Sequence, residues 1–285
     1  MSPQTSFFAV RPFSLLREKP LRMLWRLERE GRTSSIVGAA HFFRHSFRRR
    51  FAEEMSDARA VLFEGPLDAE SMRRVAEYGL DGGNTPSVVD AITPEAAKEI
   101  NSRLAYPIID NISTGLALLR PRKLDFLETN ARGARPWMAF FTIWSAYVRA
   151  RGWRHSMDME AYQVALRLGK PVHFLETIDE QLQALDEIPF EGIVEYLNRV
   201  DLWDEYTDRF VKLFLQGNLS DMLSHALRFP TRCESIIDDR DPLLFERMKP
   251  FVEEGRALAF VGTTHIRGIT KRFEAEGYKV RQEKA

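Results

Sequence analysis

The 285 residues carry 41 Lys plus Arg against 41 Asp plus Glu, so the formal net charge is zero with the six histidines counted neutral. With 44% hydrophobic and 29% charged residues, the chain has material for a sizeable core and a solvated surface, which excludes disorder and collagen-like structure. The balance argues against nucleic-acid binding, which needs a basic excess on one face. One cysteine, Cys233, cannot form an intrachain disulfide, so a cytoplasmic location is the simpler expectation.

In chain order, residues 1–20 read as an N-terminal arm, because Arg11, Pro12 and Arg17 interrupt any signal-like apolar run. Residues 21–285 then read as a single domain. Leu24 to Arg29 alternates apolar and charged, Glu30-Gly31-Arg32 supplies a turn, and Ser34 to Gly38 is apolar, which predicts a β-hairpin. Phe47, Phe51 and Met55 recur every four residues as an amphipathic helix, and Ala58 to Phe63 is a short buried-strand run. Strand, helix, strand implies a right-handed crossover between two parallel neighbours. From Pro66 to about Arg154 the pattern is helical, with breaks at 81–84, Pro107, Pro121 and Pro136, and reads as an insertion packed on the sheet. A helix over Asp158–Leu168 stopping at Gly169, a strand over Lys170–Leu175 and a helix over Ile178–Ile188 follow. Phe190 to Met248 is helical with interruptions at Gly217-Asn218 and Pro230, Ala257–Val261 is a fourth strand, and Ile269–Tyr278 closes as a helix, with Lys279–Arg281 as an edge strand. The fold class expected is α/β: a mostly parallel central sheet flanked by helices, with a large helical insertion over about 66–154. The most apolar stretch, Trp137 to Val148, falls short of the roughly 20 residues that cross a bilayer, so no membrane span is expected.

Each apolar run ends at a residue that can bind a metal or move a proton. The endings are Gly38-Ala39-Ala40-His41, Phe63-Glu64-Gly65, Leu175-Glu176-Thr177 and Gly262-Thr263-Thr264-His265. Active sites of open α/β sheets gather outside the carboxyl ends of parallel strands, so these four can converge on one cleft. Imidazole and carboxylate together suit a divalent ion such as Zn, Mn or Co, and a free carboxylate beside it can act as base toward a bound water. The glycine three residues before each histidine permits a tight turn and close backbone approach. Taken singly, each residue has a plainer reading: a loop histidine, an N-capping glutamate or a surface ion pair. Spacing four apart would put His41 and His45 on one face of a helix, though His41 belongs to the turn. Arg44, Arg48, Arg49 and Arg50 form a basic cluster that Glu53, Glu54 and Asp57 neutralise, read as a solvated helix face. Cys233 beside Glu234 lacks a nucleophile signature, Trp137, Phe140, Phe141 and Trp144 read as core, and His155, His173 and His225 as structural or surface residues.

These residues resemble the TraB/GumN/PrgY family, which is related to the Tiki metalloproteases. The resemblance rests on two Gly-x-x-His motifs, Gly38 to His41 and Gly262 to His265, with Glu64 after the second core strand. Leu24 to Leu27, Pro136-Trp137, Asp158 followed by Gly169 to Val172, Leu175 to Thr177 with Gln181, and His265 to Gly268 followed by Gly277-Tyr278 agree in order, covering about residues 21–282. The chain departs from the pattern in Arg240-Asp241, where the family often has Arg-Asn, and in Ala39, where many members have Thr. The resemblance implies a metal-dependent hydrolase acting on peptides. In that reading His41, His265 and Glu64 hold a divalent metal (Mn, Co or Zn), Glu176 is ligand or general base, and Arg240 stabilises an oxyanion. The partner expected is a peptide or small-molecule substrate, without nucleic acid or membrane. The competing expectation is a non-catalytic module that binds a peptide or haem in the same cleft.

Overall fold

The computed structural model describes residues 18–81, 83–104, 125–226 and 228–283. Most of the N-terminal arm, and the breaks expected at Pro107 and Pro121, lie outside these residues. The chain opens with the predicted hairpin, β1 (Leu24–Arg29) and β2 (Arg32–Ala39). Its two-residue turn sets Glu30 at φ 51° and Gly31 at φ 74°, the pair of positive angles that matches the right-handed twist of the flanking strands. After α1 (Arg48–Met55) and β3 (Ala60–Phe63) comes a helical section, α2 (Ala69–Tyr78), α3 (Val88–Ala91), α4 (Pro94–Leu104), α5 (Phe126–Asn130) and α6 (Pro136–Ala150). The chain returns to the sheet with α7 (Met157–Arg167) and β4 (Val172–Phe174). It leaves again through α8 (Ile178–Asp186), α9 (Phe190–Asn198), α10 (Trp203–Gln216), α11 (Leu219–His225) and α12 (Arg240–Glu254), then closes with β5 (Ala257–Gly262), α13 (Ile266–Ala275) and β6 (Lys279–Gln282).

Among the described residues the strands form one mixed sheet in the order β4-β3-β5-β2-β1-β6. The class is α/β, as expected. β4, β3, β5 and β2 run parallel, whereas β1 is antiparallel to both β2 and β6. One topological expectation needs correction: β2 and β3 are parallel but not neighbours, because β5 inserts between them. A strand-helix-strand pattern fixes handedness and direction but leaves a gap that a distant apolar strand can fill. The central strands are buried on both faces, hence their continuous apolar runs. On one face Phe260 stacks on Phe63 with centroids 5.4 Å apart, against Phe51 of α1 and Tyr162 of α7. On the other, Ser34 Oγ donates to the Val252 carbonyl of α12.

The helices of the insertion pack mainly on one another and on α8 and α9, rather than on the sheet as expected. Trp144 of α6 meets Tyr196 of α9 and Trp203 and Tyr206 of α10 edge to face, building a second aromatic core beside the sheet. Positive-φ glycines follow several helices, among them Gly169 after α7 and Gly217 after α10.

Candidate functional site

Parallel pairing puts the carboxyl ends of β4, β3, β5 and β2 side by side, so the four strand endings that carry Glu176, Glu64, His265 and His41 meet at one edge of the sheet. Backbone hydrogen bonds continue past the strands. Glu176 N donates to the Glu64 carbonyl at 2.9 Å, and Thr263 N to that of Ala39 at 3.1 Å. Neither motif glycine has a positive φ, so the tight-turn expectation fails. Close approach does hold at Gly38, where a Cβ would come within 3.0 Å of Thr263 Cγ2 and 3.2 Å of Ile266 Cγ1.

Glu64, Glu176, Arg240 and His265 form one buried ion network. Arg240, the first residue of α12, donates from Nε to Glu176 Oε1 at 2.8 Å and from Nη2 to Glu176 Oε2 at 2.6 Å, and Nη2 also bonds Glu64 Oε1. The other Glu64 oxygen accepts the Gly262 N–H at 2.8 Å. His265 Nε2 lies 3.5 Å from Glu64 Oε1, while its Nδ1 is 2.7 Å from Asp241 Oδ1. Gln181 Nε2 donates to Glu176 at 3.4 Å. Burial pushes the Glu64 carboxyl up, but Arg240, His265 and His41 outweigh it and hold the group well below the usual carboxylate range. Burial likewise works against the Arg240 cation and the His265 imidazolium, yet the glutamates raise the first, and Glu64 with Asp241 raise the second. The floor therefore sets Glu64 and Glu176 against the Arg240 guanidinium, and the His265 imidazole between Glu64 and Asp241.

His41 is placed differently. Its Nδ1 sits 2.7 Å from Asp158 Oδ2 of α7, an ion pair whose carboxylate is buried while the ring is not. Asp158 raises the imidazole to about 9 against the opposing effect of burial. The ring is 67% exposed at the bottom of an open concavity, so water screens part of that shift.

His41, Glu64, Arg240 and His265 line one cleft with a cavity volume of about 200 Å³, whose walls include Phe141, Trp144, Trp153, Tyr206, Phe210 and Phe229. Glu176 stands behind Arg240 and reaches the cleft through it. Phe141 and Trp144, expected as core, thus also form wall. Two residues that orient the site carry no role in the sequence reading: Asp241, in the first turn of α12, and Asp158, in the first turn of α7. Their adjacency to Arg240 and to an N-cap is the only local signal, and it names no partner. The basic cluster is consumed by ion pairs: Arg48 with Glu160, Arg49 and Arg50 with Glu53, and Arg44 with Asp208.

Imidazole and carboxylate are the right donor types for a divalent transition ion. Among the described residues, however, no three His, Cys, Asp or Glu side chains stand together as a metal-holding group. The guanidinium of Arg240 occupies the glutamate oxygens instead. No helix of the described residues is long and apolar enough to cross a membrane.

No curated protein matches the chain. The model of the TraB/PrgY/gumN family matches residues 23–282, nearly the whole length and every strand-end residue of the cleft, so the chain belongs to the TraB/PrgY/gumN family.

Proposed function

We propose that the chain is a metal-dependent hydrolase of peptide or ester bonds. The observation carrying this reading is that two imidazoles, each with an aspartate at Nδ1, line one cleft with a buried glutamate. An aspartate at Nδ1 fixes the ring and leaves Nε2 as the working nitrogen, an arrangement found around metal-ligating histidines. His41, His265 and Glu64 would hold the ion, which when bound supplies a Lewis acid and lowers the pKa of a coordinated water. The donors form that set only once Arg240 yields Glu64, so the guanidinium and a metal compete for one carboxylate.

The chain's own residues carry the rest. Arg240, held by Glu176, keeps N–H donors beside the cleft where an oxyanion would develop. Glu176, released from Arg240, would serve as ligand or general base. The aromatic walls favour an apolar group next to the scissile bond.

The test is elemental analysis of protein purified without chelator, followed by a panel of peptides and esters assayed with Mn, Co or Zn. Turnover lost on chelation, restored by metal and absent in His41→Ala supports the reading. Because that ring is exposed, His41→Ala is expected to stay folded, which its unfolding midpoint checks. Absence of turnover with all three metals overturns it, and tight chelator-insensitive binding of peptide or haem then identifies a binding module.

A further inference from the structure

The cleft holds a second arginine that the Arg240 network does not use. Arg232, in the segment between α11 and α12, lines the same cleft and donates from Nη1 to Thr264 Oγ1 at 2.5 Å. Its Nε is buried without a hydrogen-bond partner, and among the described residues it makes no ion pair. The contrast with Arg240, spanned by two carboxylates, is direct. A partly buried guanidinium normally finds an acid, because an uncompensated charge in a low-dielectric wall is costly. Here burial lowers the affinity of Arg232 for its proton, and Tyr206, then Asp241 and Asp238, oppose this without forming an ion pair. Asp241 is already engaged by His265.

The surroundings limit what could complete Arg232. The wall beside it is Tyr206 and Phe229, with Phe141 and Trp144 further round, so the ligand has an apolar body. One planar guanidinium suits the two oxygens of a carboxylate. A carboxylate brings one negative charge to this guanidinium, whereas a dianionic phosphate would bring a second into a cleft already lined by Glu64.

We infer that Arg232 is a recognition site for the carboxylate of an apolar ligand, the free end of a peptide whose last residue fills the aromatic wall. This rests on the hydrolase reading for its consequence, that cleavage would occur near the carboxyl terminus of the substrate. The binding itself does not depend on turnover.

The test therefore uses probes with no bond to cleave, in the presence of chelator so that no metal competes for the carboxylate. Binding of 3-phenylpropanoate, of its neutral counterpart 3-phenylpropan-1-ol and of dodecanoate is followed by the fluorescence of Trp144 and Trp153, for the wild type and Arg232→Met. The wild type is expected to bind the phenyl acid about tenfold or more tightly than the alcohol, the size of one charge-assisted pair. Arg232→Met should abolish that preference, leave the alcohol unaffected and unfold no earlier than the wild type. Equal binding of acid and alcohol, or a preference that survives in Arg232→Met, overturns the site. Tighter binding of dodecanoate than of the phenyl acid overturns the peptide end as its ligand. Failure of the hydrolase reading would show as absent turnover with this preference intact.

Discussion

The two Gly-x-x-His segments end neighbouring parallel strands, with Ala39 paired to Gly262, yet their histidines live in opposite environments. His265 is 1% exposed and His41 67%. The cause lies in the element after each strand. Beyond Gly262 the chain turns straight into α13, so His265 becomes its N-terminal flank, with Asp241 on one nitrogen and Glu64 near the other. Beyond Ala39 it runs on in a loop, α1 begins only at Arg48, and His41 meets a single aspartate at the bottom of open space. A motif thus places a side chain at a sheet edge, but the next element decides whether that side chain is wired into the core. His265 is wired into the buried network, whereas His41 stands at the open side of the cleft.

The sharpest way to break that contrast is to remove the centre of the buried wiring. Arg240→Met leaves Glu64 and Glu176 buried without their cation, and is expected to cost about 3–5 kcal/mol in denaturant unfolding. Adding Glu64→Gln and Glu176→Gln should recover much of the loss. A cost near that of a surface pair, under about 1 kcal/mol, would show the floor to be solvated and the distinction false.

Next in size, His265→Ala strands the Asp241 carboxylate and is expected to cost about 2–3 kcal/mol. His41→Ala should stay within about 1 kcal/mol, since water already reaches the ring. Equal losses for the two would erase the difference between the strand ends. Smaller still is Gly268→Ala in α13, where the new Cβ would run into Asp241 Oδ2. Alanine normally strengthens a helix, so a net loss of about 1–2 kcal/mol by thermal unfolding would mark the pressure on the His265–Asp241 pair. A gain in stability would mean that Asp241 moves freely.

The sheet and the meeting of Glu64, Glu176, His41 and His265 were legible because parallel strands share a carboxyl edge and each apolar run stops at its chemical residue. Pairing order was not, since nothing in Ala257–Gly262 says that it lies between β2 and β3. Nor was the binding of Arg240 to both glutamates, 64 and 176 residues away, because long-range ion pairs leave no periodicity. Asp241 and Asp158 escaped for the same reason: their partners lie 24 and 117 residues off, across element boundaries.

The third strand end offers the smallest and most separable effect. Past Glu176 the chain enters α8 through a capping box, in which Thr177 and Glu180 bond each other's backbone N–H groups, and Arg247 of α12 grips the Glu180 carboxylate at 2.7 Å. Arg247, then the Thr177 N–H, bring the Glu180 carboxyl down to about 2. A depressed acid binds fewer protons folded than unfolded, so its contribution is complete above the ordinary value of 4.5 and is lost as pH falls from there toward 2. The pair is about a third exposed, so added salt should shrink the effect. Glu180→Gln keeps an oxygen for the Thr177 N–H but removes the charge. Its unfolding midpoint should fall slightly at pH 7, and the gap from the wild type should close between pH 4.5 and 2. A gap that persists to pH 2 would mean that Glu180 supports the Glu176 end of the floor by packing, and that this end resembles the buried His265 side more than the open His41 side.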